Sequence, residues 1–545
     1  MLTPDQPPPE DYYQNNCRVL FEFVQLRYAQ LLPDEVRRSV QSFMAANDDE
    51  QRLFARLLTR KGPVIRTDKI DYREIKDTDA SIAGLQRFGL VMCQAPQPAD
   101  LLLNAMRKDE LLAVFSHLGR AAGRLRKTEL INVILGRYGD RTIFQRCAGY
   151  MGWLTVSDPD CWALVKMLYF GDPHQDWSAF VIRDLGMVRF EEVPMHHARF
   201  SGLPQLHLDQ HIRHLSQLTK RLTEQPALAS ELTDALQCGP CEDRFTESRR
   251  QRALLRLGKW FEQTGQSEEA IRVYRIACEH PARERMVRLL QRQGDTAEVE
   301  QCLAEIRANP LSEEELQFTQ RFGKRGGGYQ PPQTERHVAA ARPDVEQQAL
   351  ELILGESVSS CYEPWGAHVE NSLFRTLTGL IYWRAIFADV PGAFCNPFQT
   401  GPIDLYREDF AGLRCGILDE IEAQISTDAA LHQHLRKTLD EKYGIASSLV
   451  SWSMLEQLPI ERIIEAIPGE HIRRIAAFLI RNLRTHSKGM PDLLVVRGPG
   501  DYELVEVKGP TDQLQPTQRI WFKQFAAMGI PAGVLKLKLA KAVAD

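Results

Sequence analysis

The fold of the C-terminal third turns on Gly489–Pro510, GMPDLLVVRGPGDYELVEVKGP. Two aliphatic runs, PDLLVV and YELVEVK, flank the turn RGPGD, so the stretch reads as a β-hairpin. A hairpin that only had to pack would not carry Asp492, Glu506 and Lys508 among its valines and leucines. Glu506 and Lys508 are two residues apart and emerge on one face, while Asp492 opens the first strand and can lie beside them. Leu504, Val505, Val507 and the LLVV run are apolar on both faces, as in a central strand. Two carboxylates converging there repel each other unless a cation compensates. A hard divalent ion with oxygen ligands, Mg²⁺ or Mn²⁺, is the natural compensation, with room for one or two ions. The lysine can orient or deprotonate a water, or steady charge on a phosphate. The plainer alternative is a surface salt bridge between Glu506 and Lys508.

Downstream, TDQLQPTQRIWFKQFAAMG predicts a helix beginning near Pro516, with Ile520, Trp521, Phe525 and Met528 as its apolar stripe. Gln518 and Arg519 occupy its first turn, and Gln518 joins the catalytic candidates. AGVLKLKL then closes as a strand. Upstream, HVENSLFRTLTGLIYWRAIF predicts a helix on which Glu370 shares a stripe with Phe374, Leu377 and Ile381. A carboxylate on that stripe faces the interior and needs a partner, either the metal or the helix dipole.

Asp followed by Glu-x-Lys after a hairpin, here Pro491, Asp492, Glu506, Val507 and Lys508, resembles the PD-(D/E)xK nuclease superfamily. The string through TQRIWF resembles, more narrowly, its VRR-NUC domain. The resemblance implies Glu370, Asp492 and Glu506 as metal-binding acids, the Val507 carbonyl as a main-chain ligand, and Lys508 as the catalytic lysine.

The chain has 545 residues, more than one core can organise. Hydrophobic content of 43% and charged content of 26% are those of a water-soluble globular protein. No apolar run reaches the roughly 18–20 residues needed to span a bilayer. The start, MLTPDQPPPEDYYQNN, lacks a signal peptide's basic region and apolar core, so the expected location is cytoplasmic, nucleoid-associated when on DNA. Eleven scattered cysteines fit a reducing compartment. The net charge of −5 gives no global attraction to nucleic acid, but residues 101–150 hold nine Lys/Arg against four Asp/Glu.

That basic segment contains MRKDELLAVFSHLGRAAGRLRKTELINVILGRYG, two short amphipathic helices, Lys108–His117 and Lys127–Arg137, joined by a Gly- and Arg-rich turn. It resembles a SAP-type helix-turn-helix. Arg107, Lys108, Arg120, Arg124, Arg126 and Lys127 are the candidate phosphate contacts; the alternative is a turn charged for solubility. Residues 1–66 read as a helical packing or docking domain, and 67–245 as the SAP-like region with a possible small winged element. In 246–322, QTGQSEEAIRVYRIA and RQGDTAEVEQCLAEI align with Gly265 opposite Gly294 and resemble tetratricopeptide repeats, a surface for protein partners. Residues 323–344 read as a Gly/Pro-rich linker and 345–545 as the α/β nuclease domain. The expected fold is therefore multidomain, mostly α-helical in its first two-thirds.

CGPC, Cys238–Cys241, lies between helical segments and reads as a turn rather than a redox motif. HLDQHIRH lines up His207, His211 and His214 on one helical face without a general base, which favours a polar surface over zinc.

The order of parts resembles the Fanconi-associated nuclease family, from about residue 70 onward. That resemblance implies a metal-dependent nuclease of 5′-flap and branched DNA with 5′-to-3′ exonuclease activity, acting in interstrand-crosslink repair. Eukaryotic members begin with a ubiquitin-binding zinc finger; the first 70 residues here hold a single cysteine, Cys17, so no ubiquitin binding is expected. A four-way-junction resolvase and a non-catalytic repair scaffold are the competing readings.

Overall fold

Three- and four-residue apolar spacing folds the N-terminal segment into three helices, Tyr12–Tyr28, Asp34–Ala45 and Asp48–Thr59. They bury Leu20, Phe21, Val24, Val40, Phe43, Leu53 and Phe54. The third starts at a reciprocal cap: the Asn47 side chain accepts from the Glu50 amide, and the Glu50 side chain accepts from the Asn47 amide. The structure is a computed structural model; it describes all residues except 1–11, 61, 95–97, 172–187, 196–197, 324–328, 339–343, 357–361, 510–511 and 540–545.

The chain divides into two compact units. The first comprises 1–198 with 386–403 and 441–448. Besides the three helices it holds a small antiparallel sheet, in the order β1 (Ile65–Arg66), β3 (Trp153–Val156), β2 (Val91–Met92). Helices Lys108–Val114 and Lys127–Arg137 form where the sequence places them, around a core of Leu102, Leu103, Leu111, Phe115, Leu130, Ile134 and Ile143. Much of the segment expected to form a winged element lies outside the described residues.

The second unit comprises 199–385, 404–440 and 449–545. Its helical part includes Arg244–Gln263, Ser267–Ile276, Ala282–Gln293 and Thr296–Ala308. Gly265 and Gly294 stand at φ +80° and +83° in corresponding turns, a left-handed conformation in which a side chain is strained. The repeated glycine is thus a repeated turn. His207, His211 and His214 lie exposed along the Leu203–Leu218 helix.

A five-stranded sheet completes this unit, in the order β4 (Gln333–Val338), β8 (Ala532–Leu539), β7 (Asp501–Lys508), β6 (Leu493–Gly498), β5 (Trp365–His368). β8 runs parallel to both β7 and β4, and the β5–β6–β7 pairs are antiparallel. The central position expected of the hairpin strands is real: Leu493, Leu494, Val495 and Val496 are all fully buried. One sheet face presents Leu493, Val495, Val505, Val507, Leu535 and Leu537 to the Val345–Glu356 helix. The opposite face carries Glu506 and Lys508 and is covered in part by the Pro516–Met528 helix.

The expected linker differs from this architecture. Gln333–Val338, inside it, pairs along its whole length with β8 as an edge strand. Its partner lies some two hundred residues away, so nothing local in the Gly/Pro-rich sequence marks it.

Candidate active site

Register brings the acids together. Leu493 pairs with Val505 and His368 with Leu493, which sets Asp492 opposite Glu506 on one side and Val369 on the other. Three strand ends meet there, held by backbone: the Val369 and Glu370 amides donate to the Asp492 carbonyl at 2.8 and 3.0 Å. The Val507 amide donates to Asp492 Oδ2 at 2.8 Å, so this side chain latches the two hairpin strands.

Glu506 is 1% exposed. Its Oε1 accepts from Lys508 Nζ at 2.7 Å and from Gln518 Nε2 at 2.5 Å. The Glu506–Lys508 pair foreseen as a possible surface salt bridge is therefore present, but buried. Gln518 is itself fixed, because its amide oxygen accepts from the Gln515 amide at 2.9 Å at the start of its helix. That helix is anchored by buried Ile520, Trp521 and Phe525, with Trp521 Nε1 donating to the His486 carbonyl at 3.0 Å. It also comes close to the start of β6: a Cβ on Gly489, at φ +87°, would lie 2.9 Å from the Gln518 amide nitrogen, so only glycine fits.

Glu506 Oε2 is buried and accepts no hydrogen bond. Burial foremost, and then the Asp492 charge, push this carboxyl up to about 7, against the pull of Lys508 and Gln518. Asp492 is also raised, by burial first and by the charges of Glu346 and Glu370, although the Val507 amide and Lys508 oppose the shift. A buried acid with one unsatisfied oxygen, opposite a half-buried second acid, has room for positive charge beyond that of Lys508.

Glu370 is placed differently from the sequence expectation. The helix begins at Ser372, so Glu370 is not on its apolar stripe; it is exposed, in the turn after β5, at φ +33°. Its amide is committed to the Asp492 carbonyl, which draws the backbone out of the helical path. Asn371 controls this turn: its Nδ2 donates to Glu370 Oε1 at 3.0 Å and its Oδ1 accepts from the Met490 amide at 3.2 Å. Asn371 thereby couples the Glu370 side chain to the strand bearing Asp492. Among the described residues, no three carboxylate, imidazole or thiol groups stand close enough to enclose a cation. Asp492 and Glu506 are brought together, and Glu370 waits at the rim.

Comparison with known proteins places the chain in a family. The VRR-NUC domain family matches residues 426–538, and the family described as FAN1, HTH domain matches 11–92. The chain is 30% identical over 550 residues to the Fanconi-associated nuclease 1 homolog of Pseudomonas aeruginosa, covering 96% of this chain and 95% of that protein. The chain belongs to the Fanconi-associated nuclease family. The Arabidopsis thaliana homolog of the family is 26% identical over 613 residues, covering 98% of this chain and 68% of its own. Human Fanconi-associated nuclease 1 matches 30% of this chain and 17% of its own length, at 34% identity. A crystal structure of paFAN1 bound to 2nt 5′ flap DNA with a gap superposes with TM-score 0.86 at 27% identity, covering 99% of this chain and all of that one.

Membership makes the protein a nuclease, and the family's PD-(D/E)xK type makes its chemistry dependent on a divalent metal ion. The residues present fit such an ion: a buried and a half-buried carboxylate, an unsatisfied Glu506 oxygen and oxygen donors throughout. The family's helix-turn-helix match falls on helices in which the sequence alone showed no chemistry. Sequence reasoning assigned no role to Glu346, Asn371 or Gly489, although the last two lie within the stretches it reads.

Of the basic candidates, Arg107, Arg124 and Arg126 are exposed. Lys108 Nζ donates to the Gly123 carbonyl at 2.9 Å and Lys127 Nζ to the Asn104 carbonyl at 2.8 Å, so both lysines partly brace their own turn. The Arg120 side chain lies outside the described residues. Among the described residues no helix is long and apolar enough to cross a membrane.

The Asn371 side chain does not cap its helix, so Asn371→Ala is expected to fold. Residues that orient metal ligands typically govern metal affinity by 10- to 100-fold. The Mn²⁺ concentration for half-maximal cleavage is therefore expected to rise by about tenfold in this variant, with the maximal rate largely recovered at saturating metal; a metal titration of both proteins checks this.

Proposed function

We propose that the chain hydrolyses phosphodiesters of 5′-flapped and branched DNA at the Asp492–Glu506–Lys508 centre, with 5′-to-3′ exonuclease action, in the repair of interstrand crosslinks. The observation that carries this reading is the buried Glu506, with one oxygen shared by Lys508 and Gln518 and the other unsatisfied, directly across from Asp492. Support for the substrate comes from the likeness to paFAN1 structures bound to 5′ flap DNA.

Asp492, Glu506, the Val507 carbonyl and Glu370 would hold Mg²⁺ or Mn²⁺. A divalent cation so held supplies Lewis acidity and lowers the pKa of water. The chain's own groups do the rest. Lys508 places an ammonium beside the reacting phosphate and offsets the charge developing on its oxygens. Gln518 keeps Glu506 in one rotamer, and the Val507–Asp492 latch fixes the distance between the two acids. Water attacks phosphorus and gives up a proton to solvent, the P–O bond to the leaving sugar oxygen breaks, and that oxygen takes up a proton from solvent.

Arg107, Arg124 and Arg126 are the exposed cations proposed to contact phosphates away from the centre. The helical repeats are proposed as a surface for protein partners, and the setting is the cytoplasm and its nucleoid.

The test is a substrate panel at fixed salt with Mg²⁺ and with Mn²⁺: 5′ flap, four-way junction, blunt duplex and single strand. Cleavage of the 5′ flap at least about tenfold faster than the junction, roughly 1.4 kcal/mol in barrier, is the expected result. Preferential junction cutting would support the resolvase reading, and inertness on every substrate would support a scaffold.

A further inference from the structure

We propose that Lys536 binds a backbone phosphate of the DNA strand being cut, next to the one that Lys508 faces. The proposal rests on the nuclease reading above and adds a DNA contact to it. Lys508 and Lys536 are register partners on the parallel strands β7 and β8, so their side chains leave the same sheet face about 5 Å apart. The alternation along β8 confirms the face: Leu535 and Leu537 enter the core beneath the Val345–Glu356 helix, which turns Lys536 and Lys538 to the site side.

The three lysines on this face differ in their partners. Lys508 Nζ is 2.7 Å from Glu506, and Lys538 Nζ is 2.6 Å from Glu335 on edge strand β4. Lys536, half-buried between them, makes no hydrogen bond or ion pair among the described residues. Its register neighbour on β4 is Glu335, but that carboxylate is occupied by Lys538 and lies within the field of Lys536 and His337 as well. Lys536 thus presents an ammonium that no carboxylate contacts directly, with an ion-paired lysine on either side.

A nucleic-acid strand supplies anions at regular intervals. If one phosphate lies over Lys508, the strand's continuation across the sheet brings the next within reach of Lys536. A lysine on its long stem suits this role as a point charge rather than a fork. The contact carries no sequence information; it fixes strand position and contributes affinity.

The experiment is 5′-flap binding by the full chain in EDTA, followed by fluorescence anisotropy from low to high salt, for the wild type, Lys536→Gln, Lys536→Arg and Lys538→Gln. One lost phosphate contact lowers the slope of log K against log salt by about 0.9, which is about eightfold weaker binding at 0.1 M salt and convergence near 1 M. That loss is expected for Lys536→Gln, with recovery in Lys536→Arg and a smaller change for the ion-paired Lys538→Gln. A Lys536→Gln slope equal to that of the wild type overturns the assignment, because a merely structural lysine would not set the salt dependence. Wild-type protein that does not bind the flap in EDTA, and in a parallel assay with Mn²⁺ does not cut it, would instead overturn the 5′-flap reading itself.

Discussion

Replacing Lys508 by alanine, or Asp492 by asparagine, is expected to slow cleavage of a 5′ flap by at least about a thousandfold while binding of the flap is retained. Loss of a single preorganised charge or donor at a developing oxyanion typically costs about 10²–10³ in rate, and loss of a positioned acid or base about 10²–10⁴. Lys508 has a double role here. Its ammonium is the nearest positive charge to buried Glu506, at 2.7 Å, so removing it both deprives the phosphate of its partner and leaves the carboxyl more readily protonated. The asparagine variant isolates chemistry from folding. Asp492 Oδ2 accepts the Val507 amide that ties β6 to β7, and an asparagine oxygen can still accept it, whereas alanine cannot. Cleavage by Asp492→Asn close to the wild-type rate would overturn the site assignment. Its failure to bind DNA would show that this latch orders more of the protein than the centre alone.

How much of this was legible in the sequence depends on how local its cause is. The hairpin was legible because its strands, turn and alternation lie within twenty residues, and the register that faces Asp492 with Glu506 follows from the same pairing. The Pro516–Met528 helix and Gln518 in its first turn were legible from their periodicity. Glu370 was misplaced for a reason periodicity cannot detect. Its spacing to Phe374, Leu377 and Ile381 fits a helix, but the Asp492 carbonyl captures the Glu370 amide and Asn371 reaches across to Met490, so the helix starts two residues later. β4 was hidden for the opposite reason. QTERHV has no apolar alternation of its own, being an edge strand with one covered end, and the parallel partner that defines it is remote. In each case the missing information is a contact between distant segments.

Replacing Glu506 by glutamine is expected to stabilise the metal-free protein at pH 8 while abolishing its cleavage activity. Glu506 holds its proton up to about 7 instead of the ordinary 4.5, with burial as the first cause and the Asp492 charge as the second. Between these two values the folded chain binds a proton that the unfolded chain has released, so stability falls as pH rises through this window and is flat above it. The penalty at pH 8 is on the order of 3 kcal/mol. Glutamine keeps an oxygen for Lys508 and Gln518 and removes the charge. Hydrogen exchange of the 501–508 amides in EDTA measures the effect locally, where the two compact units need not unfold together. The variant is expected to be better protected than the wild type at pH 8 and to approach it at pH 3.5, where Glu506 is neutral in the folded and the unfolded chain alike. Adding Mn²⁺ at pH 8 should reverse the order, since an ion that binds only the folded carboxylates stabilises the wild type and finds no charge in the variant. Equal protection at both pH values would mean that Glu506 is not strained in the metal-free protein, and the case for a cation at this centre would lose its main physical support.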